Sequence, residues 1–306
     1  MAGFQTQVNV NPAWGLPGDF ADANPRWNIP AINGALVAGA GGVQAGRFAW
    51  IDPSGTYAVN RGGGAPAGFV HRELQGLILT YLAETSQLIP AGFEVSVFTG
   101  GSFWAANAGA GAVAIGMKAY ANFADGSVTF GATGNAPVGA SVTGAVAAST
   151  GSFTGSISNN VFIVTAVSAG VVVPGGTLAG GATIAGTQVV GQLTGVTGGI
   201  GTYQVNLQQN VASGTITETY GTLTITAVGS GNIAVGSSFA GAGVVAGTTV
   251  TAFGTGTGGN GTYIVNNNTV VASTALTVAG GIETKWIAMN PAGPGELVVM
   301  TTQQLG

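Results

Sequence analysis

Residues that could perform chemistry are few in this chain of 306 residues. It contains one histidine, no cysteine and ten carboxylates. His71 stands beside Arg72 and Glu73, and a histidine in such a setting could act as a general base. No Gly-x-Ser-x-Gly elbow or other nucleophile motif accompanies it, so the pattern favours a structural polar residue. We therefore expect no enzyme activity, no catalytic residue and no cofactor.

Metal sites are equally poorly supported by the sequence. Zinc prefers clusters of cysteine and histidine, which this composition does not offer. Asp19 and Asp22 are close enough in sequence to bind a cation weakly, but their setting is more typical of turn residues. Calcium-binding Gly-rich repeats need an acid in each repeat, and the Gly-rich region from Gly144 to Gly280 has only Glu218. The sequence thus predicts no metal site.

One stretch matches a phosphate-binding pattern by its letters alone. "GTGTGGNG" (Gly254–Gly261) contains Gly-x-Gly-x-x-Gly, but a dinucleotide site needs a helix after it and an acid about 20 residues on. The strand-like "TYIV" follows instead, and the next acid is Glu283. We interpret this stretch as the Gly-rich loop of a hairpin.

Charge and hydropathy exclude two further classes of partner. The net charge is −4, and the six basic residues are scattered, so we expect no nucleic-acid partner. No apolar run reaches the roughly 18–20 residues that a bilayer span needs. The N-terminus lacks the basic and apolar regions of a secretory signal, which favours synthesis in the cytoplasm. We expect no membrane partner.

The elements that must carry these residues are predicted to be β-strands. Residues 1–30 form an extended arm, because alternating apolar residues are followed by four prolines, which disfavour helix. Residues 31–143, together with 281–306, are predicted to form a base β domain. In it "GRFAWIDPSG" reads as a strand and turn, and Asp125-Gly126 as a hairpin turn. Strands near Trp286–Met289 and Glu296–Thr301 are expected to complete its sheet. The segment 71–84 fits either helix or strand.

A repeat occupies the region in between. "GTYQVNLQQNVAS" (Gly201–Ser213) returns as "GTYIVNNNTVVAS" (Gly261–Ser273), with eight of thirteen positions identical. Residues 144–280 are therefore predicted to be an inserted module of two units of about 60 residues, approximately 152–218 and 219–280. The predicted fold class is all-β, with a β-barrel or jelly-roll-like base and a Gly-rich, sandwich-like inserted module.

An ordered series of short motifs resembles the capsid cement, or decoration, proteins of tailed bacteriophages. They are "FQTQVNVNPAWGLPGDFADANPR", "GRFAWID", "APAGFVHREL", "IPAGFEV" and "GMKAYANFADGSVTF". The resemblance covers about residues 3–135 and the tail after Gly281. It implies a β-barrel or jelly-roll-like base that sits on the outer surface of the virion capsid, usually as an oligomer, and clamps neighbouring major capsid proteins. The two repeats are additional to the short members of that family.

Function and contacts follow as expectations. The protein is expected to be a virion structural protein that bridges major capsid protein subunits, self-associates, with a trimer favoured over a dimer, and projects its repeats outward. The predicted capsid or inter-subunit contacts are the apolar residues of the arm: Phe4, Val8, Trp14, Phe20 and Trp27. The large aromatics among them, Trp14, Phe20 and Trp27, fit a place in the chain's own core equally well. The alternative is a tail-fibre or adhesin-like module that binds host surface glycans through exposed aromatics, with Tyr203 and Tyr263 as candidates. A tyrosine repeated at the start of a strand is, however, more typical of core or cross-strand packing.

Overall fold

The computed structural model describes residues 15–30, 35–52, 54–73 and 87–303. Within these ranges the chain forms β-strands and no α-helix, so the prediction of an all-β fold is confirmed. The first half contains β1 (Trp27–Asn28), β2 (Val37–Ala38), β3 (Val43–Gln44), β4 (Phe48–Ile51), β5 (Tyr57–Val59), β6 (Gly68–Val70), β7 (Leu88–Ile89), β8 (Val97–Gly100), β9 (Ser102–Ala106), β10 (Lys118–Asn122) and β11 (Val128–Gly131). The second half contains β12 (Val138–Ala169), β13 (Thr177–Ala179), β14 (Val189–Gly195), β15 (Gly201–Gly231), β16 (Phe239–Gly241), β17 (Val250–Phe253), β18 (Gly261–Val265), β19 (Val271–Ala279), β20 (Gly281–Ala288) and β21 (Leu297–Thr301). Most of the segment 71–84 lies outside the described residues.

Two sheets, called the base sheets here, share one aromatic core. One has the strand order β1-β8-β6-β4-β5-β2, and the other β11-β10-β20-β21-β9. The last two strands of the chain therefore lie beside strands from its first half. Buried side chains from both sheets make up the core, among them Phe48, Phe69, Phe103, Trp286 and Met300.

The hairpin predicted at Asp125-Gly126 is present. β10 and β11 pair antiparallel, with Ala121 opposite Val128. Gly126 has a φ of 69°, and its N–H and C=O bond to Asn122 and Phe48 respectively. A Cβ at position 126 would collide with the carbonyl oxygen of Phe48, so both the backbone conformation and the close approach require glycine here.

A long antiparallel ribbon dominates the third sheet. β12 and β15 pair from Ala140 opposite Gly231 to Asn159 opposite Gln209, with several register shifts, and again from Val161 opposite Gln204 to Val164 opposite Gly201. The strand order of this eight-stranded sheet is β16-β19-β12-β15-β18-β17, and β13 and β14 also pair with β15.

The ribbon runs through two separate hydrophobic cores. The inner core consists of Ala140, Val142, Val146, Leu223, Ile225, Ile233, Phe239, Val250, Tyr263, Val265, Val271, Leu276 and Val278. The outer core consists of Phe153, Ile157, Phe162, Val164, Val172, Leu178, Val189, Tyr203, Val205, Val211 and Ile216. Nine outer-core positions, from Phe162 to Ile216, have an inner-core counterpart 60 or 61 residues later, from Leu223 to Leu276.

The two cores also share an equivalent hydrogen bond from a threonine hydroxyl to a backbone carbonyl. The hydroxyl of Thr165 donates to the carbonyl of Thr154 at 3.0 Å, and that of Thr226 donates to the carbonyl of Thr143 at 3.3 Å. The first contact lies within β12 itself, because the chain reverses direction at Asn159, which has a φ of 57°. In the inner core the same contact joins β12 to β15.

Along the chain, the segment that builds the outer core is nested between two segments that contribute to the inner core. The chain contributes residues 140–146 to the inner core, builds the whole outer core from 153–216, and then returns to the inner core at Leu223. A short sequence similarity accompanies this arrangement: "SVTGAV" (Ser141–Val146) returns as "SFTGSI" (Ser152–Ile157). Each core thus receives one strand of this type from β12.

We expect Gly231→Ala to lower the free energy of unfolding by about 3 kcal/mol, because overpacking adds to the cost of a left-handed backbone. Gly231 has a φ of 71°, and a Cβ there would collide with the carbonyl oxygen of Gly139 where β12 begins. Gly247→Ala is the matched control, since its φ is 84° and its surroundings are open, which predicts a loss of only about 1 kcal/mol. Urea denaturation followed by circular dichroism measures both, and equal losses would contradict the expected effect of crowding.

Candidate functional site

His71 is held in an aromatic stack. Its ring lies on the ring of Phe20 with 3.9 Å between centroids, and its Nδ1 is 2.8 Å from the carbonyl oxygen of Gly18, to which it donates. The guanidinium of Arg26 covers the other face of Phe20 at 3.7 Å. These contacts fix residues 18–26 against β8 and β9 and give His71 a packing role, as the sequence favoured.

The acids that the sequence singled out belong to turns. Asp19 pairs with Arg72 at 3.5 Å, and Asp22 accepts from the backbone N–H and the side chain of Asn24, both at 2.9 Å. Burial raises the pKa of Asp22, but hydrogen bonds from Ser102 and Asn24 and the charge of Arg26 outweigh it, so the pKa lies below its ordinary value. Across the described residues, no group of three or more potential metal ligands comes together.

The Gly-rich stretch 254–261 is a hairpin loop, as predicted. It connects β17 to β18, which pair antiparallel. Its N–H groups are used internally, since Thr255 donates to the Thr262 hydroxyl at 2.9 Å and Gly258 donates to the Tyr263 hydroxyl at 3.0 Å. No helix follows it, so the structure lacks the element that a dinucleotide site requires.

Tyr203 and Tyr263 are core residues, as their repeated position at the start of a strand favoured, and not exposed aromatics for sugar stacking. Both rings are buried in the outer and inner cores, with at most 1% of their surface exposed. Their hydroxyls donate to the carbonyls of Gly199 and Gly259, each at 2.6 Å. The repeated tyrosine therefore closes a loop from inside each core and has no free face for a sugar.

The structure describes two of the five predicted contact residues, and these two differ in exposure. Phe4, Val8 and Trp14 lie outside the described residues. Phe20 is half-buried and packs edge-on against Phe98 at 5.4 Å, so its ring already serves the base. Trp27 is 56% exposed.

Trp27 occupies an open position on the edge of a sheet. It lies on β1, which ends the six-stranded sheet and pairs only with β8 among the described strands. The Thr99 hydroxyl donates to its carbonyl at 3.2 Å, and a Cβ on Gly100 would lie 2.7 Å from its indole ring. An edge strand with an exposed indole suits the addition of a partner's strand or loop.

The charge distribution separates the repeats from the base. Between Asp125 and Glu283 the sequence has one ionisable acid or base, Glu218, and that side chain is fully buried. The ion pairs of the described residues join Arg47 to Asp125, Arg72 to Asp19 and Lys118 to Glu283, all in the base. The surface of the repeats therefore carries no charged side chain. None of the described residues belongs to a helix long and apolar enough to cross a membrane.

Comparison with known proteins decides the family. A sequence model described as XM1 gp53 minor capsid protein matches residues 4–165, more than half of the chain. The chain belongs to that family. It is accordingly a phage capsid protein with a structural role in the virion. The match includes strands β1 to β11 and most of β12, and ends inside the outer core. No curated protein and no solved structure gives a significant match.

Proposed function

We propose that this minor capsid protein binds the outer surface of the phage shell, bridges neighbouring major capsid protein subunits and stabilises the shell. Membership of a minor capsid family is the observation that carries the proposal. A protein that binds the assembled shell but not its separate parts stabilises the shell by mass action.

The base supplies the contacts in this proposal, and the repeats project away from it. We assign 1–30 to the arm, 31–143 with 281–306 to the base domain, and 144–280 to the inserted module. The pairing of β20 with β10 and of β21 with β9 supports an insertion, because both ends of the module meet at one sheet. Gly139 and Gly280, at these two ends, lie in contact.

The uncharged surface of the repeats supports their outward placement. A surface of threonine, serine, asparagine and glycine produces only a weak long-range electrostatic field, so it binds few molecules nonspecifically. That property suits a module displayed in many copies. We further propose that the base self-associates on the shell, with a trimer favoured. Light scattering tests this by measuring the mass of the purified protein and of the copies bound to shells.

Trp27→Ala is expected to weaken binding to shells that lack this protein by about 30-fold or more, since buried tryptophan anchors contribute about 2 kcal/mol or more at interfaces. The assay is co-sedimentation of purified protein with such shells. Phe253→Ala is the matched control, because Phe253 is also a partly exposed aromatic, at 45%, but lies in the repeats. It should bind as the unaltered protein does.

The controls separate the contact residue from the function. Deletion of residues 2–27 is expected to reduce shell occupancy further than Trp27→Ala alone. Undiminished binding of both variants would rule out the arm and β1 as the contact. Failure of the unaltered protein to bind shells would overturn the function itself.

A further inference from the structure

Glu218 is a fully buried acid without a counter-charge. It lies on β15, where its backbone pairs with Leu178 and Gly151. Its Oε1 accepts one hydrogen bond, from the backbone N–H of Val173 at 3.1 Å, and its Oε2 has no partner. Burying a carboxylate in this way is costly unless it stays protonated.

In the inner core, the backbone N–H equivalent to that of Val173 has a hydrogen-bond acceptor that is not an acid. The position 60 residues after Glu218 is Val278, which is buried. The counterpart of Val173 is Ala234, and its N–H donates to the hydroxyl of Ser237 at 3.3 Å. Ser237 in turn corresponds to Gly176, whose missing Cβ leaves the space that the Glu218 carboxyl group fills. One buried N–H is thus satisfied by Ser237 in one core and by Glu218 in the other.

The turn held by Glu218 forms the joint between the two cores. Gly175 lies directly against the side chain of Thr251 from the inner half of the sheet. Val173 and Pro174 line one side of a cavity of about 440 Å³, and Ala252 and Phe253 line the other. A change at Glu218 therefore acts on the contact by which the outer core rests on the inner one.

The surroundings of Glu218 favour its protonated form. Burial raises its pKa to about 8, which the hydrogen bond from Val173 only partly offsets. The titratable groups facing it are Tyr203 and Tyr220, and burial, with the Glu218 charge second, raises the pKa of each above its ordinary value. The ion pairs of the described residues do not include Glu218, and no cation offsets the effect of its burial on its pKa.

We propose that Glu218 is a protonation latch. Its un-ionised carboxyl group can stay buried beneath the 173–176 turn, which then rests on the inner half of the sheet. An ionised carboxylate without a counter-charge must gain water, which opens that turn so that the outer core swings on the β12–β15 ribbon. The module is stiff when Glu218 is protonated and hinged when it is ionised. This property does not depend on what the base binds.

The sign of the pH dependence follows from the direction of the shift. The pKa is 4.5 ordinarily and about 8 in the fold, so the folded protein holds a proton that the unfolded chain releases. Stability from this group is therefore complete below pH 4.5 and declines as the pH rises towards 8. The melting temperature of the repeats should fall across this interval, and Glu218→Gln should remove the fall.

Spin labels can measure the hinge directly, because the chain has no cysteine of its own. Asn160→Cys at the exposed tip of the outer core and Val270→Cys beside the inner core provide the labelled pair. Pulsed electron paramagnetic resonance then gives the distribution of distances between the two labels at pH values below and above the pKa of about 8. We expect a narrow distribution on the acid side and a clearly broader one on the alkaline side.

Two variants make the result decisive. Glu218→Gln cannot ionise, and Gly176→Ser with Glu218→Val copies the inner-core solution, so both should keep the narrow distribution on either side. If Glu218→Gln fails to fold, the double variant alone gives the comparison. An unaltered protein that stays narrow throughout, or a variant that broadens as the unaltered protein does, would overturn the latch.

Discussion

Gly176→Ser is expected to lower the free energy of unfolding by about 3 kcal/mol, because it overpacks a filled site and displaces a buried carboxyl group. A Cβ at position 176 would collide with Oε1 of Glu218, which is fully buried and cannot move into solvent. Displacing the carboxyl group also breaks its bond to the N–H of Val173. Chemical denaturation near neutral pH provides the measurement.

The second substitution should rescue the first. Glu218→Val alone removes a costly buried acid but leaves the Val173 N–H unpaired, so its net effect should be small. In Gly176→Ser with Glu218→Val, the serine hydroxyl takes the place that Ser237 has beside Ala234. The double variant should be about as stable as the unaltered protein, with a coupling of about 3 kcal/mol between the sites. Additive losses would show that the two solutions are not interchangeable.

Phe103→Ala is expected to destabilise the base by about 4 kcal/mol, within the range for removing a buried phenylalanine. Phe103 is fully buried, and its ring lies 5.3 Å from those of Phe69 and Phe98 and 5.4 Å from that of Phe20. It belongs to the five-stranded sheet, while Phe69 and Phe98 belong to the six-stranded sheet, so its removal opens a cavity between the two base sheets. Fluorescence of the tryptophans during denaturation reports the loss.

Phe93→Ala gives the matched control for this loss. Phe93 also lies in the base but is 41% exposed, so its removal should cost under about 1 kcal/mol. A loss at Phe103 no larger than that at Phe93 would mean that the aromatic core does not hold the base sheets together. Shell binding by Phe103→Ala should fail only under conditions in which the variant is unfolded.

Strands and turns were predictable because their signals are local. A strand was predicted near Trp286–Met289, where β20 lies, and Asp125-Gly126 predicted the β10–β11 hairpin. Both depend on interactions among neighbours in sequence. The prediction that the Gly-rich stretch 254–261 is a hairpin loop succeeded for the same reason.

Burial was harder to predict because it depends on distant pairing. Phe20 looked like an unpartnered aromatic in a proline-rich segment, yet it stacks on His71, which is 51 residues away in sequence. The sequence favoured a packed Tyr203 over one exposed to a sugar, but only the structure shows that its hydroxyl donates to its own loop. Neither outcome can be derived from alternation alone, since either face of a strand may be the wet one until its sheet is known.

The nested arrangement left a signal in the sequence that is distinct from the 60-residue repeat. "SVTGAV" and "SFTGSI" are only 11 residues apart, too close to be read as parts of two tandem units. They become intelligible once β12 is seen to supply one strand to each core. Glu218 was visible as the lone acid of the region, but its role needed the three-dimensional equivalence with Ser237 and Val278.

The central claim is that this protein stabilises a phage shell by binding its outer surface. Shells prepared without it can be incubated with purified protein and heated, while escape of the packaged DNA is followed by dye fluorescence. Saturated shells should retain their DNA to a higher temperature than bare shells, and Trp27→Ala should give an intermediate result at the same protein concentration. DNA escape at the same temperature from bare shells and from shells verified to carry bound protein would contradict the claim.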